Sequence, residues 1–178
     1  MPKNSPAASS GVSGAKESPL TLDDWRWNAG QFNRIAEKTR AAGIRFGYHN
    51  HVEEFRELDG LRPYDELLRL TDPASVTMEM DCGWVIVGGQ SPADYLARYP
   101  KRFSMLHVKD FKLSGATAAE TAAPRSTEMG RGSIDYRPIF RAARQAGIAH
   151  IFVEQEEFDI PPLQALKIDA AYMQAFKT

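Results

Sequence analysis

Four short apolar runs, at residues 44–49, 76–81, 103–110 and 149–154, each close on a residue able to hold a cation. The run Phe-Ser-Met-Leu-His-Val-Lys-Asp at 103–110 shows the logic. A strand alternates its side chains, so Phe103, Met105, His107 and Lys109 fall on one face and Ser104, Leu106 and Val108 on the other. If His49, Asp81, His107 and Glu154 all face one way, the opposite set is Ile44, Phe46, Tyr48, Val76, Met78, Met80, Leu106, Val108, Ile151 and Val153. That set is almost wholly apolar, as strands covered by helices require. The pattern thereby puts every candidate ligand on one face, at one end of the strands.

Between the strands, apolar positions recur at helical spacing. Residues 1–20, rich in Ser, Ala, Pro, Gly and Lys, read as a disordered leader, and residues 21–178 as the folded unit. Thr21 and Asp24 have the spacing of a capping box, and Leu22, Trp25, Ala29, Phe32 and Ala36 follow on one helical face until Gly43. Further helices are predicted over 63–70, 92–99 and 134–146, with a last one opened by Pro161-Pro162. Residues 112–131 read as a long loop of the kind that serves as a lid.

The resulting order, αβαβαβαβα, means a parallel sheet with right-handed crossovers. A doubly wound sheet gathers its site at one switch point. Ligand-type residues at the ends of four successive strands instead favour part of a (β/α)8 barrel, where chemistry is shared among strands at their C-terminal ends. The fold class expected is α/β, with parallel βα units forming half of such a barrel.

Composition narrows the function. The chain has 178 residues, 43% hydrophobic and 25% charged, with a formal net charge of −1. Its Lys and Arg are scattered among acids, so no nucleic-acid partner is expected. No apolar run approaches membrane length and no signal-peptide core is visible, so a cytoplasmic location is the default. The single cysteine, Cys82, excludes an intrachain disulfide.

A strand-end His, Asp or Glu taken alone has a plainer account, capping the next helix. Four on successive strands point instead to a divalent ion, held by His49, Asp81, His107 and Glu154. Imidazole with carboxylate suits Mn, Mg, Co, Fe or Zn, and the lack of thiolate ligands favours a Lewis-acid ion. His49 and His51 share parity, so one could ligate while the other bonds substrate. Lys109, on the His107 face, is a candidate to hold a developing oxyanion. Trp84 could wall one side of a substrate, Glu54 could supply a second carboxylate from an exposed loop, and Arg131 could bind an anion. Glu79, Arg45 and His150 fall on the inward side below the mouth, with Arg45 and Glu79 expected to pair, because a buried charge is costly unless compensated.

The motifs Gly47-Tyr48-His49-Asn50-His51 through Glu54-Phe55, Met80-Asp81-Cys82-Gly83-Trp84, Leu106-His107-Val108-Lys109-Asp110, Gly130-Arg131-Gly132-Ser133-Ile134-Asp135 and Val153-Glu154-Gln155 resemble the sugar phosphate isomerase/epimerase family. Its domain is a xylose isomerase-like barrel. The resemblance spans most of residues 21–178 and covers the second half of that barrel, so strand edges would be left free at 44–49 and 149–154. Better-known members carry a glutamate at the end of the first strand of this half, where this chain has His49 and His51.

The resemblance implies a divalent metal acting on a sugar-like small molecule. The metal would polarise a hydroxyketone and stabilise the enediolate formed when a carboxylate removes the neighbouring proton. Glu154 is the expected base. Isomerisation or epimerisation is one outcome, and expulsion of a β-substituent, as in an inositol-type dehydratase or lyase, is another. A non-catalytic half barrel is the rival from outside enzymology. A homodimer that completes or covers the barrel would meet the edge problem.

Overall fold

The computed structural model describes residues 20–113 and 124–176. Helix α1 (Leu22–Ala41) starts at the Thr21 capping box: Thr21 N–H donates to Asp24 at 2.8 Å, and Asp24 N–H returns to the Thr21 hydroxyl at 3.2 Å. It stops at Gly43, whose φ of 75° places it where a β-carbon is disfavoured. The chain continues through β1 (Phe46–His49), a 3-10 turn at Glu53–Phe55, α2 (Pro63–Leu70), β2 (Val76–Asp81), α3 (Cys82–Val87) and α4 (Pro92–Arg98). Then follow β3 (Phe103–Val108), β4 (Asp110–Lys112), β5 (Arg125–Thr127), α5 (Tyr136–Gln145), β6 (His150–Val153) and α6 (Pro162–Gln174). No described helix is long and apolar enough to cross a membrane.

Strands β1, β2, β3 and β6 form one parallel sheet in that order. Among the described residues it is an open partial barrel whose edge strands are β1 and β6. Its helix-covered face carries Val76, Met78, Met80, Leu106 and Val108, all essentially inaccessible. Aromatic packing of Phe55, Tyr64 and Tyr95 extends that core between α2, α4 and the turn. Arg102 ties the start of β3 to the end of α2: its guanidinium donates to the Leu68 carbonyl and, at 2.6 Å, to the Thr71 hydroxyl.

The expected elements form, with five corrections. Strand β1 starts at Phe46, and Ile44 is 61% exposed, because the apolar covering thins at this terminal strand of the described sheet. The register of β2 against β3 slips between Met78 and Glu79, which pair with Phe103 and Met105. That extra residue turns Phe103 into the core, opposite to the simple alternation. Residues 82–87 form a helix that the pattern does not predict, because the Asp81 side chain accepts the Trp84 N–H at 3.0 Å and caps it. Helix α5 begins at Tyr136, two residues later than expected, since Asp135 caps it through the Arg137 N–H at 3.0 Å. Finally, the expected long loop is partly ordered as an antiparallel pair: β4 runs into it at Lys112, and β5 lies within it. Residues 114–123 of that loop, and residues 1–19 of the expected leader, lie outside the described residues.

Candidate metal centre

Parallel register brings the strand ends level. His49 pairs with Glu79, Asp81 with His107, and His107 with Phe152. Glu154 follows β6 directly, with its N–H donating to the Val108 carbonyl at 3.1 Å. One ligand atom from each of His49, Asp81, His107 and Glu154 lies within 4.8 Å of all the others. The cluster can hold a metal ion.

The chemistry of Asp81 fits a cation. Asn50, fully buried, bonds both ways to the Asp81 backbone, donating to its carbonyl at 3.2 Å and accepting its N–H at 3.1 Å. Asp81 Oδ1 is committed to the cap of α3, while Oδ2 is buried without a hydrogen-bond partner and lies 3.8 Å from His49 Nε2. Burial pushes the Asp81 carboxyl up to about 6, against the pull of the Trp84 N–H and Lys109. Burial, with His107 and His51 close by, pushes His49 down to about 4. A buried orphan oxygen beside an imidazole kept neutral is a donor set that a divalent cation satisfies.

On the far side, His107 Nδ1 lies 2.9 Å from Glu154 Oε2. Burial works to raise the Glu154 carboxyl, but the His107 bond and Lys109 outweigh it and hold it below the usual range. Lys109 is 1% exposed, with its Nζ 3.4 Å from Glu154 Oε1 and 3.1 Å from Glu156 Oε2. Its backbone N–H donates to the Tyr136 hydroxyl at 2.9 Å, and Nζ sits 5.2 Å from the centre of the Trp84 ring. Gly83 permits this packing, because a β-carbon there would lie 2.5 Å from the Lys109 carbonyl.

The β4–β5 pair steadies the Glu154 segment. Ser126 N–H donates to Glu157 at 2.8 Å, and the Ser126 hydroxyl accepts the N–H groups of Glu156 and Glu157 at 3.0 Å. Behind it, buried Asp110 accepts four backbone N–H groups, from Phe111, Gly130, Gly132 and Ile134, at 2.9–3.2 Å.

The remaining candidates divide. His51 is exposed at the mouth, its ring 5.0 Å from that of His49. Trp84 is half-buried, packs on Phe111 at 4.8 Å, and keeps a buried indole N–H without a partner. Glu54 is not on an exposed loop: it is 2% exposed, accepts the Tyr48 hydroxyl, and accepts the His51 N–H at 3.1 Å. It clasps the turn after β1, where spacing alone could not foresee a partner six residues upstream. Arg131 is exposed and makes no ion pair among the described residues. Glu79 does not pair with Arg45. Its carboxylate lies instead against His49 and His107. Asn50, Asp110 and Glu156 were given no role in the sequence reading, although Asn50 between two histidines and Asp110 after a strand end were visible signals.

A family model described as xylose isomerase-like TIM barrel matches residues 6–176. The chain belongs to that family. A sugar phosphate isomerase/epimerase from Parabacteroides distasonis superposes with a TM-score of 0.75 at 31% identity, over 89% of this chain and 55% of that one. An inosose dehydratase from Lacticaseibacillus casei is 28% identical over 148 residues, covering 78% of this chain and 49% of its own length. The chain thus spans about half the length of the curated relatives it matches. The IolI protein, solved with a bound zinc atom, shares the fold with a TM-score of 0.72, at 11% identity and over 90% of this chain and 59% of that one.

Proposed function

We propose that this chain carries the metal-holding half of a keto-polyol dehydratase acting on an inosose-like cyclic ketone. The observation that carries the reading is the buried Lys109 set 3.4 Å from Glu154 Oε1, beside a four-residue cluster with one orphaned carboxylate oxygen. His49, Asp81, His107 and Glu154 would hold the ion. When bound, a divalent cation supplies Lewis-acid polarisation of a ketone oxygen, which acidifies the neighbouring C–H. Glu154 Oε1 takes that proton as general base. Lys109 Nζ gives a proton to the β-hydroxyl, which departs as water, and the Lys109–Glu154 contact returns the abstracted proton to Nζ. Trp84 offers an apolar wall beside this pair, and exposed His51 offers a hydrogen bond to a substrate hydroxyl at the mouth.

The relatives named inosose dehydratase support elimination. The 31% identity to a sugar phosphate isomerase/epimerase supports a second reading, in which the same deprotonation ends in reprotonation and no water is lost. Zn, Mn, Mg, Co and Fe all suit the donor set. We read the two free sheet edges and the open inner face as the surface on which a second copy closes the barrel.

Variants in deuterated water, with metal supplied, test the scheme. Glu154→Gln is expected to abolish both α-hydrogen exchange and formation of the unsaturated ketone. Lys109→Met is expected to keep exchange and lose elimination. Exchange without water loss in the unmodified protein would select the isomerase reading. Unchanged exchange in Glu154→Gln would remove it as base, and a strictly monomeric chain by light scattering would remove the second copy.

A further inference from the structure

Each histidine of the cluster has a second ring nitrogen, and both of these lie near one carboxylate. Glu79 Oε2 lies 3.6 Å from His49 Nδ1, and Glu79 Oε1 lies 3.1 Å from His107 Nε2. The opposite nitrogens face the candidate ligands: His49 Nε2 toward Asp81 Oδ2 at 3.8 Å, and His107 Nδ1 toward Glu154 Oε2 at 2.9 Å. A neutral imidazole protonates one nitrogen only, and the other is the one that binds an ion. A carboxylate beside a ring nitrogen favours N–H there by electrostatic attraction even before a hydrogen bond forms, so Glu79 biases both rings toward N–H on the nitrogens nearest it. With an ion in place of the proton that His107 Nδ1 shares with Glu154, His49 Nε2 and His107 Nδ1 are the nitrogens that present lone pairs to the ligand cluster.

We infer that Glu79 is a positioning residue that sets the tautomer and ring orientation of both histidines, so that two strands present a matched pair of lone pairs to one ion. The inference rests on the metal centre proposed above. Strand alternation supplies the arrangement cheaply. Glu79 stands two residues before Asp81 on the same face of β2, and in register opposite His49. One strand thereby provides both a ligand and the carboxylate behind two others. Glu79 makes no ion pair with a Lys or Arg among the described residues, so its charge is directed to the two rings alone. Glu154 Oε2 competes for the His107 proton from the inner side, and Glu79 supplies the counterweight. Carboxylates behind ligating imidazoles typically contribute about 10–100-fold in metal affinity.

Cobalt(II) titration of the full chain, followed by visible absorption, tests this with Glu79→Ala and Glu79→Gln. Glu79→Ala is expected to weaken Co(II) binding by about tenfold or more while the bound-state spectrum keeps the same ligand count. Glu79→Gln, whose amide oxygen can still accept from one ring, is expected to recover part of the loss. Long-range proton–nitrogen NMR of the zinc-loaded protein is expected to find the protons on His49 Nδ1 and His107 Nε2. Glu79→Ala that binds within about twofold of the unmodified chain overturns the inference. A spectrum that loses a ligand overturns it too, by making Glu79 a direct ligand. An unmodified chain that takes up neither ion overturns the metal centre itself and this role with it, an outcome distinct from equal binding by both proteins.

Discussion

The two faces of the four-stranded sheet differ in kind. The outer face, Val76, Met78, Met80, Leu106 and Val108, is sealed by helices and at most 1% exposed. The inner face carries Glu79, His107 and Phe152, and even the apolar Phe152 is 46% exposed. Burial of apolar area drives folding, at about 25 cal/mol per Å², so the outer face is where the stability of this chain is concentrated. The inner face contributes little packing and holds nearly all the ionisable groups that can do chemistry. A barrel built this way separates the residues that keep it folded from those that act, and the separation can be broken by substitution.

The largest effect on folding is expected on the outer face. Met80→Ala should cost about 2–5 kcal/mol in chemical denaturation, whereas Met105→Ala, half-buried on the inner face, should cost under about 1 kcal/mol. Equal losses would erase the distinction. Next comes the clasp under the Glu154 segment. A β-carbon on Gly132 would stand 2.1 Å from Asp110 Oδ1, so Gly132→Ala should displace that carboxylate from its backbone donors and cost about 2–3 kcal/mol.

Asp81→Asn probes the inner face. It should change metal-free stability by less than about 1 kcal/mol, since it removes an orphaned charge while an amide oxygen can keep the α3 cap. Calorimetric titration should nonetheless find zinc binding lost. The smallest effect is expected from pH. Arg69, and secondarily Arg26, hold the Glu66 carboxyl down to about 2 against the contrary pull of burial. A depressed carboxyl contributes stability above its unfolded value of about 4.3 and loses it as pH falls through the folded value. Because both arginines are well exposed, Glu66→Gln should remove at most about 1 kcal/mol at pH 7, and the difference from the unmodified chain should vanish only below about pH 2.

Much of this was legible in the chain itself. Period-two alternation at Val76–Asp81 and the capping box at Thr21 are local signals, and both operate in the structure as read. The four clustered residues were nameable because each ends a strand. Phe103 was misassigned because a bulge depends on the partner strand, which alternation within one strand cannot register. Glu54 was misjudged because its burial depends on Tyr48 and on the fold of the turn. Arg45 was paired with Glu79 by inward parity and opposite charge, whereas β2 sets that carboxylate against two imidazoles.

The sequence by itself determined the βα order, the parity of the strands and the kinds of atom available to bind an ion, since these follow from residue spacing and side-chain chemistry. Only the tertiary structure decided which oxygen of Asp81 stays free, that Lys109 is buried against Glu154, and that one glutamate faces two histidines. Those outcomes depend on distances between residues far apart in the chain, set by register and packing across strands.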